Sequence, residues 1–107
     1  MSEPVRVLLY HLADDVEGVE AAYHQVSTAL AQVPGLLGNE LLRSVHDPRG
    51  FLVISTWGDR EAFDHWEQGS GHKASTAPLR PYRDTGNPYA LGVYQVLAAY
   101  QSASSTV

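Results

Sequence analysis

The order in which strand-like and helical segments alternate constrains the fold of this chain most strongly. The first apolar run, Val5 to Leu12, is rich in Val, Leu and Tyr and predicts a strand buried on both faces, apart from Arg6 and His11. An amphipathic helix follows, because its apolar residues are three and four positions apart. These residues are Val16, Val19, Tyr23, Val26, Leu30 and Val33.

Two local signals place the ends of this helix. Asp14 and Glu17 have the spacing of a capping box. Pro34 and Gly35 end the helix, because proline cannot continue it.

The middle of the chain predicts a hairpin followed by a second helix. Segments 36–45 and 51–57 are strand-like, and the turn sequence HDPRG at 46–50 joins them in antiparallel fashion. Gly38 indicates a bulge or a close backbone approach. Asp59 is a suitable N-cap for a helix from Arg60 to about Gln68. Strand alternation predicts one face with Phe51, Val53, Ser55 and Trp57 and the other with Leu52, Ile54 and Thr56.

The last third of the chain is less regular. It predicts a short helix over 71–77 capped by Ser70, a loop over 79–89, a strand from Ala90 to Tyr100 and a tail over 101–107. The resulting order, strand, helix, strand, strand, helix, strand, is that of a ferredoxin-like α+β fold with a four-stranded antiparallel sheet. The 107 residues form a single domain, with its core at about 5–100.

Two helices cover only one face of a four-stranded sheet. The other face keeps about half of each apolar strand, and a soluble monomer does not tolerate so large an apolar surface. The sequence therefore predicts a homodimer that pairs two sheet faces.

Composition excludes several classes of function. The net charge is −5 and no basic stripe is present, which argues against nucleic acid or an anionic membrane as partner. The chain has no cysteine, so disulfides, iron–sulfur clusters and thiol nucleophiles are excluded. The start of the chain has Glu3 where a signal peptide would be basic, and no apolar run is long enough to span a bilayer. We expect a cytoplasmic protein.

The segments VPGLLGNELLRS, FLVISTW and DREAFDHWEQGSGHK resemble the antibiotic biosynthesis monooxygenase (ABM) superfamily of dimeric α+β barrels. That family has Pro-Gly before its second strand, Trp at the end of its third and a further Trp on the next helix. Here the two tryptophans are Trp57 and Trp66. The resemblance extends over about 5–100 and implies the fold. Chemistry within this superfamily is diverse, from quinone-forming monooxygenases to haem degradation and polyketide cyclisation.

The chemical branches of the family differ at identifiable positions. Haem-degrading members have an Asn on the first strand and a His nine or ten residues after the helix Trp. Here the first strand has no Asn, and Ser75 and Thr76 stand at that distance from Trp66. Quinone-forming members have an Asn four residues before the strand Trp and a Tyr six residues after it. Val53 and Phe63 occupy those positions.

The remaining aromatic, imidazole and guanidinium groups are the candidates for chemistry. His72 is the candidate general base, because an imidazole titrates near neutral pH. Arg80 and Tyr82 in LRPYRD are further catalytic candidates. The candidates for substrate binding are Trp57, Trp66, Phe63, Tyr10 and Arg83.

Each candidate also has a structural interpretation. The tryptophans are equally consistent with core packing. His72 is consistent with a solvated or helix-capping role. The arginines are consistent with surface ion pairs to Asp84, Glu61 or Glu67, which contribute little to stability. The five histidines show no recognisable metal-ligand spacing, so no metal is expected.

The resemblance implies an enzyme that oxidises an aromatic, polyketide-like small molecule with molecular oxygen as co-substrate and without metal, haem or flavin. Two alternatives remain open. One is a polyketide cyclase or isomerase that uses the same pocket for proton transfer. The other is a dimeric protein that binds small molecules or responds to stress without catalysis.

Overall fold

The computed structural model describes residues 3–69 and 71–102, and its elements follow the predicted order. The elements are β1 (Val5–Leu12), α1 (Val16–Leu30), β2 (Leu36–Arg43), β3 (Gly50–Trp57), α2 (Arg60–Gln68), α3 (His72–Thr76), a 3₁₀ helix (Ala77–Tyr82) and β4 (Leu91–Gln95).

The strands form an antiparallel sheet within the described residues, in the order β2-β3-β1-β4. This order confirms the predicted ferredoxin-like α+β fold. Sequence reasoning expected a bulge or a close backbone approach at Gly38. The register of β2 against β3 shifts between Leu36 and Gly38, so the irregularity lies next to this glycine, at Leu37. No helix in the described parts of the chain is long and apolar enough to span a membrane.

The sheet has an inner face, which packs against the helices, and an outer face that no element of residues 3–69 and 71–102 covers. On β3 the alternation is the predicted one, with Phe51 and Trp57 buried on the inner face. On β1 the single chain buries one face, and the prediction that His11 is an exception to burial is wrong. Val5, Val7 and His11 are buried, whereas Tyr10 and Leu12 are exposed on the outer face.

The N-cap of α1 lies one residue after the predicted one, Asp14. Asp15 caps the helix and accepts a hydrogen bond from the Gly18 backbone N–H at 3.0 Å. Asp14 instead forms an ion pair with Arg49, at 2.6 Å between Oδ1 and Nε.

The end of the chain also differs from the prediction. β4 ends at Gln95 rather than at Tyr100, because Gln95 pairs with Val5 at the beginning of β1 and no strand residue precedes Val5. Residues 77–82, predicted largely as loop, form the 3₁₀ helix. The predicted capping residue Ser70 lies outside the described residues.

The turn from α1 into β2 depends on Gly35. This residue has φ of 85°, a conformation that disfavours residues with a Cβ, and an added Cβ would overlap that of Ala62 on α2.

We expect Gly35→Ala to lower the free energy of unfolding by about 2 kcal/mol, measured by urea denaturation. Gly38→Ala is the matched control, because an added Cβ there meets no atom within 4 Å. Equal losses in the two variants would contradict this account.

Candidate active site

A cavity of about 220 Å³ lies between the inner face of the sheet and the helices. All four strands and all the helices contribute lining residues. The cavity therefore exists only once the helical layer has packed onto the sheet.

Three aromatic side chains form one wall of the cavity. The ring centroids of Trp57 and Trp66 are 5.3 Å apart, and those of Trp57 and Phe63 are 5.5 Å apart. The cluster forms because α2 begins three residues after Trp57, where Asp59 accepts a hydrogen bond from the Ala62 backbone N–H at 2.8 Å. Trp57 is only 1% exposed, yet it lines the cavity. These rings thus serve as packed core and as pocket wall together.

His72 lies where α3 begins, with its ring edge-on to Trp66 at 5.5 Å between centroids. Its Nδ1 is 3.0 Å from the carbonyl oxygen of Gly69. A carbonyl only accepts hydrogen bonds, so Nδ1 must carry the proton. The neutral ring therefore keeps an unprotonated Nε2, which can accept a proton.

Arg80 and Arg83 also line the cavity. Arg80 donates from Nη2 to the carbonyl oxygen of Lys73 at 2.7 Å and to the Thr76 hydroxyl at 3.3 Å. Arg83 is held through its backbone, which pairs with His11 on β1 and donates to the carbonyl oxygen of Arg80. Neither guanidinium forms an ion pair in the described parts of the chain.

Two of the predicted site residues do not line this cavity. Tyr10 is on the outer face, because β1 alternates and its neighbours Leu9 and His11 point inward. Tyr82 is half-buried and packs against the residues of α1, with its hydroxyl close to Gly18. The other six predicted residues share the cavity: Trp57, Phe63, Trp66, His72, Arg80 and Arg83.

A polar group on β2 was not identified from the sequence. The carboxamide oxygen of Asn39 accepts hydrogen bonds from the hydroxyls of Tyr23 and Ser27, the latter at 3.2 Å. All three residues line the cavity. These two hydrogen bonds fix the orientation of the Asn39 carboxamide, and its side-chain nitrogen remains a donor without a partner among the described residues. The signal was the i, i+4 spacing of Tyr23 and Ser27, which puts both hydroxyls on the same face of α1.

His11 is the second cavity residue that sequence reasoning missed. It is 2% exposed and its Nδ1 has no hydrogen-bond partner in the described structure. Burial lowers the pKa of His11; hydrogen bonding with the Leu9 backbone opposes this, and the positive charge of Arg83 adds to it. His11 is consequently neutral at pH 7. A histidine inside an apolar strand gives no sequence signal of its face.

Among the described residues, no group of three or more His, Asp or Glu side chains is arranged to hold a metal ion.

The sequence profile of the antibiotic biosynthesis monooxygenase family matches residues 5–77, and the chain belongs to this family. SchA from Streptomyces halstedii is 33% identical over 82 residues, which are 73% of this chain and 21% of SchA. The chain thus spans about a fifth of the length of that relative.

Two solved structures show how widely the fold is shared. SnoaB, a cofactor-independent oxygenase from Streptomyces nogalater, superposes with a TM-score of 0.70 at 18% identity, over 97% of this chain and 99% of SnoaB. The heme-degrading protein Rv3592 from Mycobacterium tuberculosis gives 0.69 at 22% identity, over 95% of this chain and 100% of Rv3592. At such identities the likeness establishes the fold but not the reaction, which has to be inferred from the residues of the site.

His11 makes stability depend on pH. Below the unfolded-state pKa of 6.5 the unfolded chain takes up a proton that the buried imidazole resists. The contribution of neutral His11 to the free energy of unfolding is therefore fully present above pH 6.5 and is lost as the pH is lowered, by up to about 1.4 kcal/mol per pH unit for one group.

His11→Leu should flatten the pH dependence of the unfolding free energy between pH 7 and 5. His46→Gln, at an exposed hairpin position, should keep the wild-type slope. An unchanged slope in His11→Leu would show that His11 does not cause the pH dependence of stability.

Proposed function

We propose that this protein is a cytoplasmic, cofactor-independent monooxygenase that oxidises an aromatic, polyketide-like phenol or anthrone in secondary-metabolite biosynthesis. The observation that carries the proposal is the shared cavity of the aromatic wall and His72, whose Nε2 is free to take a proton. Membership of the antibiotic biosynthesis monooxygenase family and the likeness to SnoaB support it.

The size of the cavity is consistent with a fused-ring substrate. An apolar cavity of roughly 150 Å³ holds benzene. The volume of about 220 Å³ accordingly favours a planar ligand larger than one ring. Trp57 and Trp66 would stack on such a ligand and exclude water from it.

In the proposed reaction, His72 accepts a proton from the acidic carbon or hydroxyl of the substrate. The resulting anion transfers electrons to dioxygen and forms a peroxide at the reacting carbon. Loss of water then leaves a carbonyl, so that one oxygen atom enters the product and the other leaves as water. The free amide nitrogen of Asn39 would donate a hydrogen bond to the developing oxyanion, with its orientation fixed by Tyr23 and Ser27.

The two predicted residues outside the cavity receive other roles in this proposal. Tyr82 would act structurally, because its ring holds the 3₁₀ helix against α1. Tyr10 would belong to the subunit interface rather than to the substrate site.

The site fits haem poorly. Nine and ten residues after Trp66 stand Ser75 and Thr76, and the Thr76 hydroxyl is hydrogen-bonded to Arg80. His72 comes only six residues after Trp66, and its ring packs edge-on to that tryptophan. We therefore propose that the reaction proceeds without haem.

An oxygen-electrode assay with 1,8-dihydroxyanthrone tests the proposal. The protein should consume one dioxygen per anthrone converted to quinone, and anaerobic incubation should stop turnover. His72→Gln should lower kcat by roughly 100-fold or more, since a general base contributes about 10²–10⁴-fold. His46→Gln, at an exposed turn position outside the cavity, is the matched control and should retain wild-type kcat.

Other outcomes would assign other functions. Turnover of a polyketide-like substrate without oxygen would identify a cyclase or isomerase. Thermal stabilisation by the ligand with no product would identify a binding protein. A Soret band on titration with haemin would overturn the haem-free proposal. Full activity in His72→Gln would remove this residue as the base.

We further propose a homodimer through the outer face. Register places apolar side chains of neighbouring strands side by side on this face: Leu8, Tyr10, Leu42, Leu52, Ile54 and Tyr94. Several of them are exposed, among them Tyr94 at 60%. A second copy would bury the same surface on both subunits.

Sedimentation at micromolar concentration should give the dimer mass for the wild-type protein. Ile54→Glu should raise the dimer dissociation constant roughly 100-fold or more, because it buries an unpaired carboxylate. Val45→Glu introduces the same charge at an exposed position beyond β2 and should remain dimeric. A monomeric wild type would refute the dimer.

A further inference from the structure

Two arginines of the cavity have no counter-ion. The ion pairs in the described parts of the chain join Arg49 to Asp14 and Arg60 to Asp64, and both pairs lie outside the cavity. Asp84 follows Arg83 directly in sequence, yet the two side chains form no salt bridge. The ion pairing that the sequence allowed for Arg80 and Arg83 is thus not made.

The electrostatic balance of the cavity differs from that of the whole chain. The protein has a net charge of −5, whereas the cavity contains two guanidinium groups and one carboxylate, that of Glu67. Glu67 forms no ion pair with either arginine. Two cations without an ion pair at the exposed side of the cavity attract an anion, and salt in the solvent screens this attraction.

The side chains of Arg80 and Arg83 differ in how many hydrogen bonds hold them. Arg80 is anchored by Lys73 and Thr76, and its remaining N–H groups are free to donate. Arg83 has a fixed backbone and a side chain without a hydrogen bond in the described structure. A guanidinium group binds a carboxylate through two parallel hydrogen bonds, which a neutral carbonyl or hydroxyl does not match.

We propose that Arg80 and Arg83 select aromatic substrates that bear a carboxylate, which they bind while the ring lies against Trp57 and Trp66. The inference rests on the proposed function, because it takes the same cavity as the place of the aromatic ring. It adds a charge requirement that the ring itself does not impose. A carboxylate is charged before the reaction, whereas a phenol acquires its charge only after losing a proton.

Binding of two isosteric probes tests this without requiring turnover. Calorimetric titration compares 1-hydroxy-2-naphthoate with 1-hydroxy-2-naphthamide, which share ring and shape and differ in charge. The wild-type protein should bind the acid about tenfold or more tightly, as expected for hydrogen bonds to a charged group. This preference should shrink at high salt, because the arginines are open to solvent.

Arg83→Gln is the decisive variant, since the Arg83 side chain forms no hydrogen bond or ion pair in the described structure. It should remove most of the preference for the acid and leave binding of the amide unchanged. Arg80→Gln should do the same, with thermal melting to verify that loss of its contacts to Lys73 and Thr76 leaves the fold intact. Arg60→Gln removes a cation outside the cavity and should keep the wild-type preference.

The results separate this inference from the proposed reaction. Equal affinity for acid and amide, or a full preference in Arg83→Gln, would overturn the inference even if the protein consumes oxygen with the anthrone. So would binding of neither naphthalene. A clear preference that depends on the arginines would support the inference even if no oxygen is consumed, in which case the oxygenase proposal alone would fail.

Discussion

The packing of α2 against the end of β3 is the interaction on which the rest of the structure depends. Trp57 ends the strand, and Phe63 and Trp66 on the helix close over it with ring centroids 5.3 to 6.2 Å apart. The short capped turn at Asp59 leaves α2 little freedom, so the rings meet in a fixed arrangement. The cluster both stabilises the fold and provides a rigid wall, which is why a small domain can keep a cavity open beside its core.

The polar groups of the cavity lie on different helices and strands, and each is held in a different way. Asn39 is fixed by two hydroxyls on α1, and His72 by a carbonyl at the end of α2. His11 is buried, and its lowered pKa keeps it neutral. Arg80 is anchored, while Arg83 is free to meet a ligand. A site of this kind places a neutral acceptor, an amide donor and cations around one flat aromatic surface.

The exposed apolar outer face follows from the same geometry. With the helices on the inner side, the alternation of β1 places Leu8 and Tyr10 on the outer face, next to Ile54 and Leu52 of β3. None of the helices and strands that the structure describes covers them. Pairing with a second copy is therefore the proposed solution.

The sequence by itself determined the elements, the topology and the family. The 3.6-residue periodicity of α1, the alternation of β3 and the Pro-Gly and Asp signals depend on neighbours along the chain, and these predictions agree with the structure to within a few residues. It also indicated six residues of the cavity, because most of them follow from the Trp57–Trp66 segment and the arginine-rich loop. Only the tertiary structure decided which side of β1 faces inward. The two polar residues of this strand, Arg6 and His11, are five positions apart and lie on opposite faces, so they do not agree on which side is the polar one. Packing placed His11 inside and Tyr10 outside. Likewise, the Asn39 network joins residues 12 and 16 positions apart across two elements, a contact that exists only when α1 packs on the sheet.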